Sequence, residues 1–164
     1  MSAEANRELI RRFYEALDRH DGDAMAACYA SDATFEDPAF GELHGAEAGA
    51  MWRMLTSRSD DLSVELRRQD ADQDAGSANW IATYTFGPTG RRVVNDIQAS
   101  FRFDSEGKIA DHRDDFDFAR WARQALGPLG IAVAHLPPLR SRFRARAHKG
   151  LEDYMAGQGP AANS

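Results

Sequence analysis

Two strand-like segments carry the residues best suited to moving protons. DHRDDFD, residues 111–117, sets four aspartates around His112 and Arg113. Side chains alternate across a strand, so the run divides into two faces. Asp111, Arg113, Asp115 and Asp117 share one, and Ala110, His112, Asp114 and Phe116 share the other. The first reads as a solvated face or interface rim, with Arg113 softening the repulsion between carboxylates. The second puts a carboxylate and an imidazole among apolar neighbours. A buried carboxylate is costly unless it is paired or its pKa rises. An acid–base pair lining a polar pocket satisfies that condition, and so does an internal ion pair or backbone cap. ATFEDP, residues 33–38, repeats the pattern: Ala33, Phe35 and Asp37 fall together, with Asp37 where the chain turns at Pro38. Alone, Asp37 is a turn former. With His112 and Asp114 it makes three titratable groups, each pointing inward from a strand.

The elements that must position them follow from periodicity. Leu9, Ile10, Phe13 and Leu17 recur at helical spacing within residues 3–19. A short helix over about 22–30 carries Met25, Cys28 and Tyr29, and a third helix covers 45–57. From Leu62 the period becomes two: Leu62, Val64 and Leu66, then Trp80, Ala82, Tyr84 and Phe86, then Val93, Asn95, Ile97, Ala99, Phe101 and Phe103. GPTG and DSEGK supply turns between these strands. The last strand spans about 108–116, and FARWARQALG reads as a helix ending at Gly127. A Pro-bearing linker and a helix over 139–155 follow, then a polar tail. Helices, a meander of long strands and helices again imply an α+β fold, with a curved, mostly antiparallel sheet wrapped around the N-terminal helices. Such a cone can hold a ligand, and Trp80, Tyr84 and Trp52 are candidates to line it.

Composition narrows the function classes. Lys and Arg number 20 against 26 Asp and Glu, a net charge of −6, which argues against nucleic acid as the main partner. Cys28 stands alone in an apolar run, so it reads as a buried, inert thiol and no internal disulfide forms. No secretory leader or membrane-length apolar run is evident, which makes the cytoplasm the expected location. His20 and His44 lack metal-ligand spacing, and only His112 and Asp114 of the acidic run can share a site, so no metal is expected. Ser57 and Ser100 lack triad partners, and no glycine-rich loop suits a phosphate.

The run RRFYEALDRHDGDAMAACYASDATFEDPAFG, the strand ending ASFRFDSEGKI and the closing HRDDFD resemble the NTF2-like superfamily. Within it they are most similar to the SnoaL-like group of polyketide cyclases, ketosteroid isomerases and limonene-type epoxide hydrolases. The resemblance covers about residues 4–126. It implies the NTF2-like cone, but this scaffold carries many chemistries. In the isomerases the Asp of the EDP motif is the general base, which corresponds to Asp37. Their oxyanion donors are a Tyr and a protonated Asp; the matching positions here are Phe13 and Ala99, so both donors are replaced. The epoxide hydrolases end their last strand in a W-R-D-Y-F-D-like motif whose first Asp is catalytic, and Asp114 takes that position. Their partnering Arg and Asp on a middle strand are replaced by Ala82 and Tyr84. The cyclases also draw an acid–base Asp from the last strand, again matching Asp114.

The sequence thus implies a domain over residues 1–126, a linker and basic amphipathic helix over 127–157 packed on it, and a disordered tail over 158–164. The expected function is cofactor-independent acid–base catalysis on a small apolar substrate. Asp114 and Asp37 act as base and acid, and His112 orients or shuttles. Tyr84 and Asn95 are possible donors, and Trp80, Phe116, Phe13 and Trp52 are expected to shape the pocket. The alternative is a non-catalytic ligand-binding or dimerisation module. A homodimer through the outer sheet face is expected. Residues 137–149 carry five basic residues and no acid, while Leu139, Phe143, Ala147 and Leu151 form an apolar stripe. Packing of that stripe on the acidic body is preferred over membrane contact.

Overall fold

Helix α1, Ala3–Asp18, lies against the concave side of a six-stranded sheet, held there by Leu9, Ile10, Phe13, Tyr14 and Leu17. The computed structural model describes residues 2–157. Ser2 starts α1 by accepting the Ala5 N–H, the ordinary use of a short polar side chain at a helix N-terminus. Tyr14, on the side of α1 next to the expected stripe, is buried as deeply as the stripe itself, so the helix presents a broad face to the core. Helix α2, Gly22–Ala26, is short and capped by Asp21.

Strands β1, Tyr29–Asp37, and β2, Gly41–His44, form a hairpin; helix α3, Ala46–Arg58, follows. Strand β2 is four residues long, too few to display a period in the sequence. Strands β3, Ser63–Ala71, β4, Ala75–Phe86, β5, Arg91–Phe103, and β6, Ile109–Asp115, complete the sheet. The spatial order is β2-β1-β6-β5-β4-β3, with β1 and β6 parallel and every other pair antiparallel. The fold is the expected α+β cone. From Asp111 onward the alternation in β6 is as read: His112 and Asp114 are buried, while Asp111, Arg113 and Asp115 are exposed; Ile109, beyond a register shift, is buried out of step.

After β6 the chain builds three helices: α4, Phe118–Leu126, α5, Pro128–His135, and α6, Pro137–Gly157. The segment read as a Pro-bearing linker is therefore helical over most of its length. Pro128 sits in the first turn of α5, where its missing N–H is no loss. Gly127, at φ +64°, turns the chain between α4 and α5. Gly130 lets the two helices touch; a Cβ there would lie 2.0 Å from the Ala122 carbonyl oxygen. Phe118, Trp121, Val93 and Val133 form a second apolar cluster, and Leu139 and Phe143 of α6 pack on it. Farther along α6, Ala147 and Leu151 reach the main core. Tyr84 and Phe116 touch both clusters, so the C-terminal helices close over the end of the sheet that carries them. No described helix is long and apolar enough to cross a membrane.

Candidate active site

The parallel pairing of β1 with β6 assembles the site. Its register matches Phe35 with His112 and Glu36 with Arg113. The paired register ends there; half-buried Asp37 and buried Asp114 are the next residues along the two strands, and the Asp114 charge acts on Asp37. On the other side of β6, Phe101 is opposite His112 and Ala99 is opposite Asp114. The small Ala99 side chain leaves room for the carboxylate beside it. Ala99 is also where the resemblance to isomerases places an acid, so here a carboxylate occurs one strand over.

His112 is 1% exposed and Asp114 4%. The imidazole Nε2 lies 3.0 Å from Asp114 Oδ1, and Nδ1 lies 2.6 Å from the Tyr29 hydroxyl. Tyr29 in turn accepts the Trp52 indole N–H at 2.8 Å. The direction of this chain follows from its parts. An indole nitrogen only donates, so Tyr29 receives that bond and gives its own proton to Nδ1. His112 then holds its proton on Nε2 and donates it to Asp114, a tautomer assigned from the network. Trp52, Tyr29, His112 and Asp114 thus form one polarised line in which each bond strengthens the next. Burial, reinforced by the Asp114 charge and opposed by the Trp52 bond, pushes the Tyr29 phenol well above its usual range and keeps it a donor.

Asp37 is tied differently. Its Oδ1 accepts the N–H groups of Ala39 at 2.9 Å and Phe40 at 2.6 Å, closing the turn at Pro38. Burial raises its pKa to about 7, with the Asp114 charge adding to the rise and the two backbone bonds and Arg144 opposing it. The shift favours the protonated form of this carboxyl, while Asp114 is bonded to an imidazole. Carboxyls in such unequal surroundings suit complementary acid and base roles.

Several donors belong to the same core. Tyr84 accepts the Trp121 indole N–H at 2.8 Å, leaving its own proton to give. Burial raises the Tyr84 pKa, opposed by that bond and assisted by the Asp37 charge. Tyr14 is 2% exposed, and its hydroxyl has no partner among the described residues; the Trp80 indole N–H, 4% exposed, has none either. Their rings lie 5.2 Å apart. Burial and then the Asp114 charge push the Tyr14 pKa well upward, so it too stays protonated. Buried donors without acceptors are uncommon and carry a desolvation cost.

The remaining expected residues divide by location. Phe13 and Trp52 pack their rings on His112, as do Phe35 and Phe101, at centroid distances of 4.4 to 6.2 Å. They wall in the imidazole. Asn95 is buried on β5 opposite Ala82, and Phe116 is half-buried between the two apolar clusters. Tyr29 and Tyr14 were missed by sequence reading. Tyr29 had been assigned to the end of a helix, yet it opens β1, where a register shift before Thr34 separates it from the regular alternation. Tyr14 lay outside the apolar stripe. Surface clefts of about 680 Å³, between α5 and α6, and about 580 Å³, beside the start of α1, lie apart from the carboxylate pair. Among the described residues, no three metal-ligating side chains cluster.

The SnoaL-like domain model matches residues 10–112. The chain belongs to the SnoaL-like domain family. The matched span includes Asp37 and stops two residues before Asp114, so membership by itself assigns Asp114 no role. Among solved structures, the chain is similar to an LEH-like epoxide hydrolase from M. tuberculosis, with a TM-score of 0.64 and 24% identity. The match covers 82% of this chain and 98% of that one. This likeness establishes the NTF2-like fold.

Proposed function

We propose that this SnoaL-like protein is an acid–base enzyme acting on a small, largely apolar molecule that carries a reactive oxygen. The observation that carries the reading is the one-directional line from Trp52 through Tyr29 and His112 to Asp114, ending beside a carboxyl that titrates near neutrality. Asp114 takes a proton from a carbon or from an attacking water. Asp37, in its acid form, returns a proton to the oxygen that gains charge, and Tyr14, Tyr84 and Trp80 would donate hydrogen bonds to it. His112 holds Asp114 in position. No cofactor enters this scheme.

Epoxide opening is the first reaction to test, because the similar solved structure is an LEH-like epoxide hydrolase. Water would add to one epoxide carbon and lose its proton to Asp114, while the ring oxygen leaves carbon and receives the Asp37 proton. Proton transfer next to a ketone is the second. A panel of small aliphatic epoxides and enolisable ketones, followed by diol formation and by deuterium uptake from D₂O, covers both. Asp114→Asn keeps an acceptor for His112 but removes the base, and should lower kcat by about 10²–10⁴-fold with the thermal transition retained. Turnover equal to that of the wild type would remove Asp114 from the mechanism.

A binding module is the second reading. Two backbone bonds to Asp37 and the aromatic packing around His112 favour it. It predicts saturable binding of the same compounds with no turnover at any pH.

A further inference from the structure

The cleft between α5 and α6 is lined by His135, Pro137, Arg140, Ser141, Arg144 and His148, along with two alanine methyl groups, and no acid takes part. Arg140, Ser141, Arg144 and His148 fall on one face of α6. Among the described residues, neither Arg140 nor Arg144 belongs to an ion pair. Both are nevertheless held. The Arg140 guanidinium sits 4.5 Å above the Phe118 ring. Arg144 donates to the Pro38 carbonyl at 3.4 Å, and its side chain crosses Gly41, where a Cβ would meet it at 3.1 Å. His148 bonds the Phe40 carbonyl. The two are anchored by an aromatic ring and a carbonyl, and neither forms a salt bridge among the described residues, although the Arg144 charge also acts on Asp37.

The neighbouring surface is apolar. Leu129, Ile131 and Leu136, on and just after α5, are more than half exposed. Alanine and proline carbons line the cleft itself. Guanidinium groups match carboxylate geometry through paired N–H donors, and an aliphatic surface beside them favours a hydrocarbon body.

We propose that the α5–α6 cleft, about 680 Å³ in volume, binds a small aliphatic carboxylate through Arg140 and Arg144. The site does not depend on Asp114 being catalytic, so it stands or falls separately from the enzymatic reading.

Octanoate is the probe, titrated into the full chain by calorimetry and by amide NMR at fixed ionic strength. Saturable binding is expected, with shifts in residues 134–148 and in the 38–41 turn. Octan-1-ol should not bind there. Arg140→Gln with Arg144→Gln should weaken octanoate binding at least about tenfold, since the charge-assisted hydrogen bonds to the carboxylate are lost. If the double variant does not fold, Ser141→Asp puts a repelling charge in the cleft and should have the same effect. Asp114→Asn should bind octanoate as the wild type does. Equal affinity for octanol, unchanged affinity in the variants, or shifts confined to other regions would overturn the proposal. So would sedimentation with phosphatidylglycerol vesicles in the absence of octanoate binding, which would mark the surface as a membrane contact.

Discussion

Replacing Asp37 with Asn tests whether its carboxyl is desolvated as the structure implies. Asn keeps a carbonyl oxygen for the Ala39 and Phe40 N–H groups and carries no charge. It therefore resembles the protonated acid. A carboxyl that titrates near 7 in the fold and near 3.8 in the unfolded chain binds its proton more tightly when native. Its contribution is full below about pH 4 and is lost as pH rises through about 7. At about 1.4 kcal/mol for each pH unit, the whole span amounts to roughly 4 kcal/mol. Asp37 is partly accessible to solvent, so screening reduces this to roughly 2 kcal/mol. For a chain of this size that is a Tm difference of about 4–8 °C. The assay is thermal unfolding of both proteins at pH 4, 5.5, 7 and 8.5. The variant should nearly match wild type at pH 4, exceed it increasingly up to about pH 7, and keep that advantage with little further change at pH 8.5. The difference between the two proteins isolates Asp37 from every other titrating group. A Tm difference that stays constant with pH, or that favours wild type at pH 8.5, would refute the claim that burial governs this carboxyl.

Other substitutions separate site from scaffold. Tyr14→Phe removes a buried hydroxyl that has no partner, so stability should hold or rise slightly, while turnover falls if that hydroxyl meets substrate; a loss of several degrees in Tm would mean the hydroxyl is bonded within the fold. Tyr29→Phe leaves the Trp52 N–H and His112 Nδ1 without partners and should cost about 1–3 kcal/mol by denaturant unfolding. The same variant should change the His112 ring nitrogen shifts by NMR, and an unchanged spectrum would break the assigned line. Gly130→Ala should lower Tm clearly, because its methyl has nowhere to go between α4 and α5; an unchanged Tm would mean that crossing is loose.

Local pattern determined a good deal about this protein. Alternation in β6 alone separates Asp111, Arg113 and Asp115 from His112 and Asp114, because a strand has only two faces and one is apolar. The spacing of Leu9, Ile10, Phe13 and Leu17 determines α1 and the side it buries, and the apolar stripe of α6 is equally plain. The tertiary structure decided what those faces meet. Asp37 and Asp114 are 77 positions apart, and nothing in either segment states that β1 runs parallel to β6 with Phe35 beside His112. That register comes from long-range packing, and it alone makes two inward acids into a pair. Tyr29 joins His112 because of an irregularity in β1, which a period cannot reveal. The packing of α5 on α4 brings Gly130 against Ala122, a contact between two elements. Period reports which way a side chain points; only the assembled chain reports what it points at.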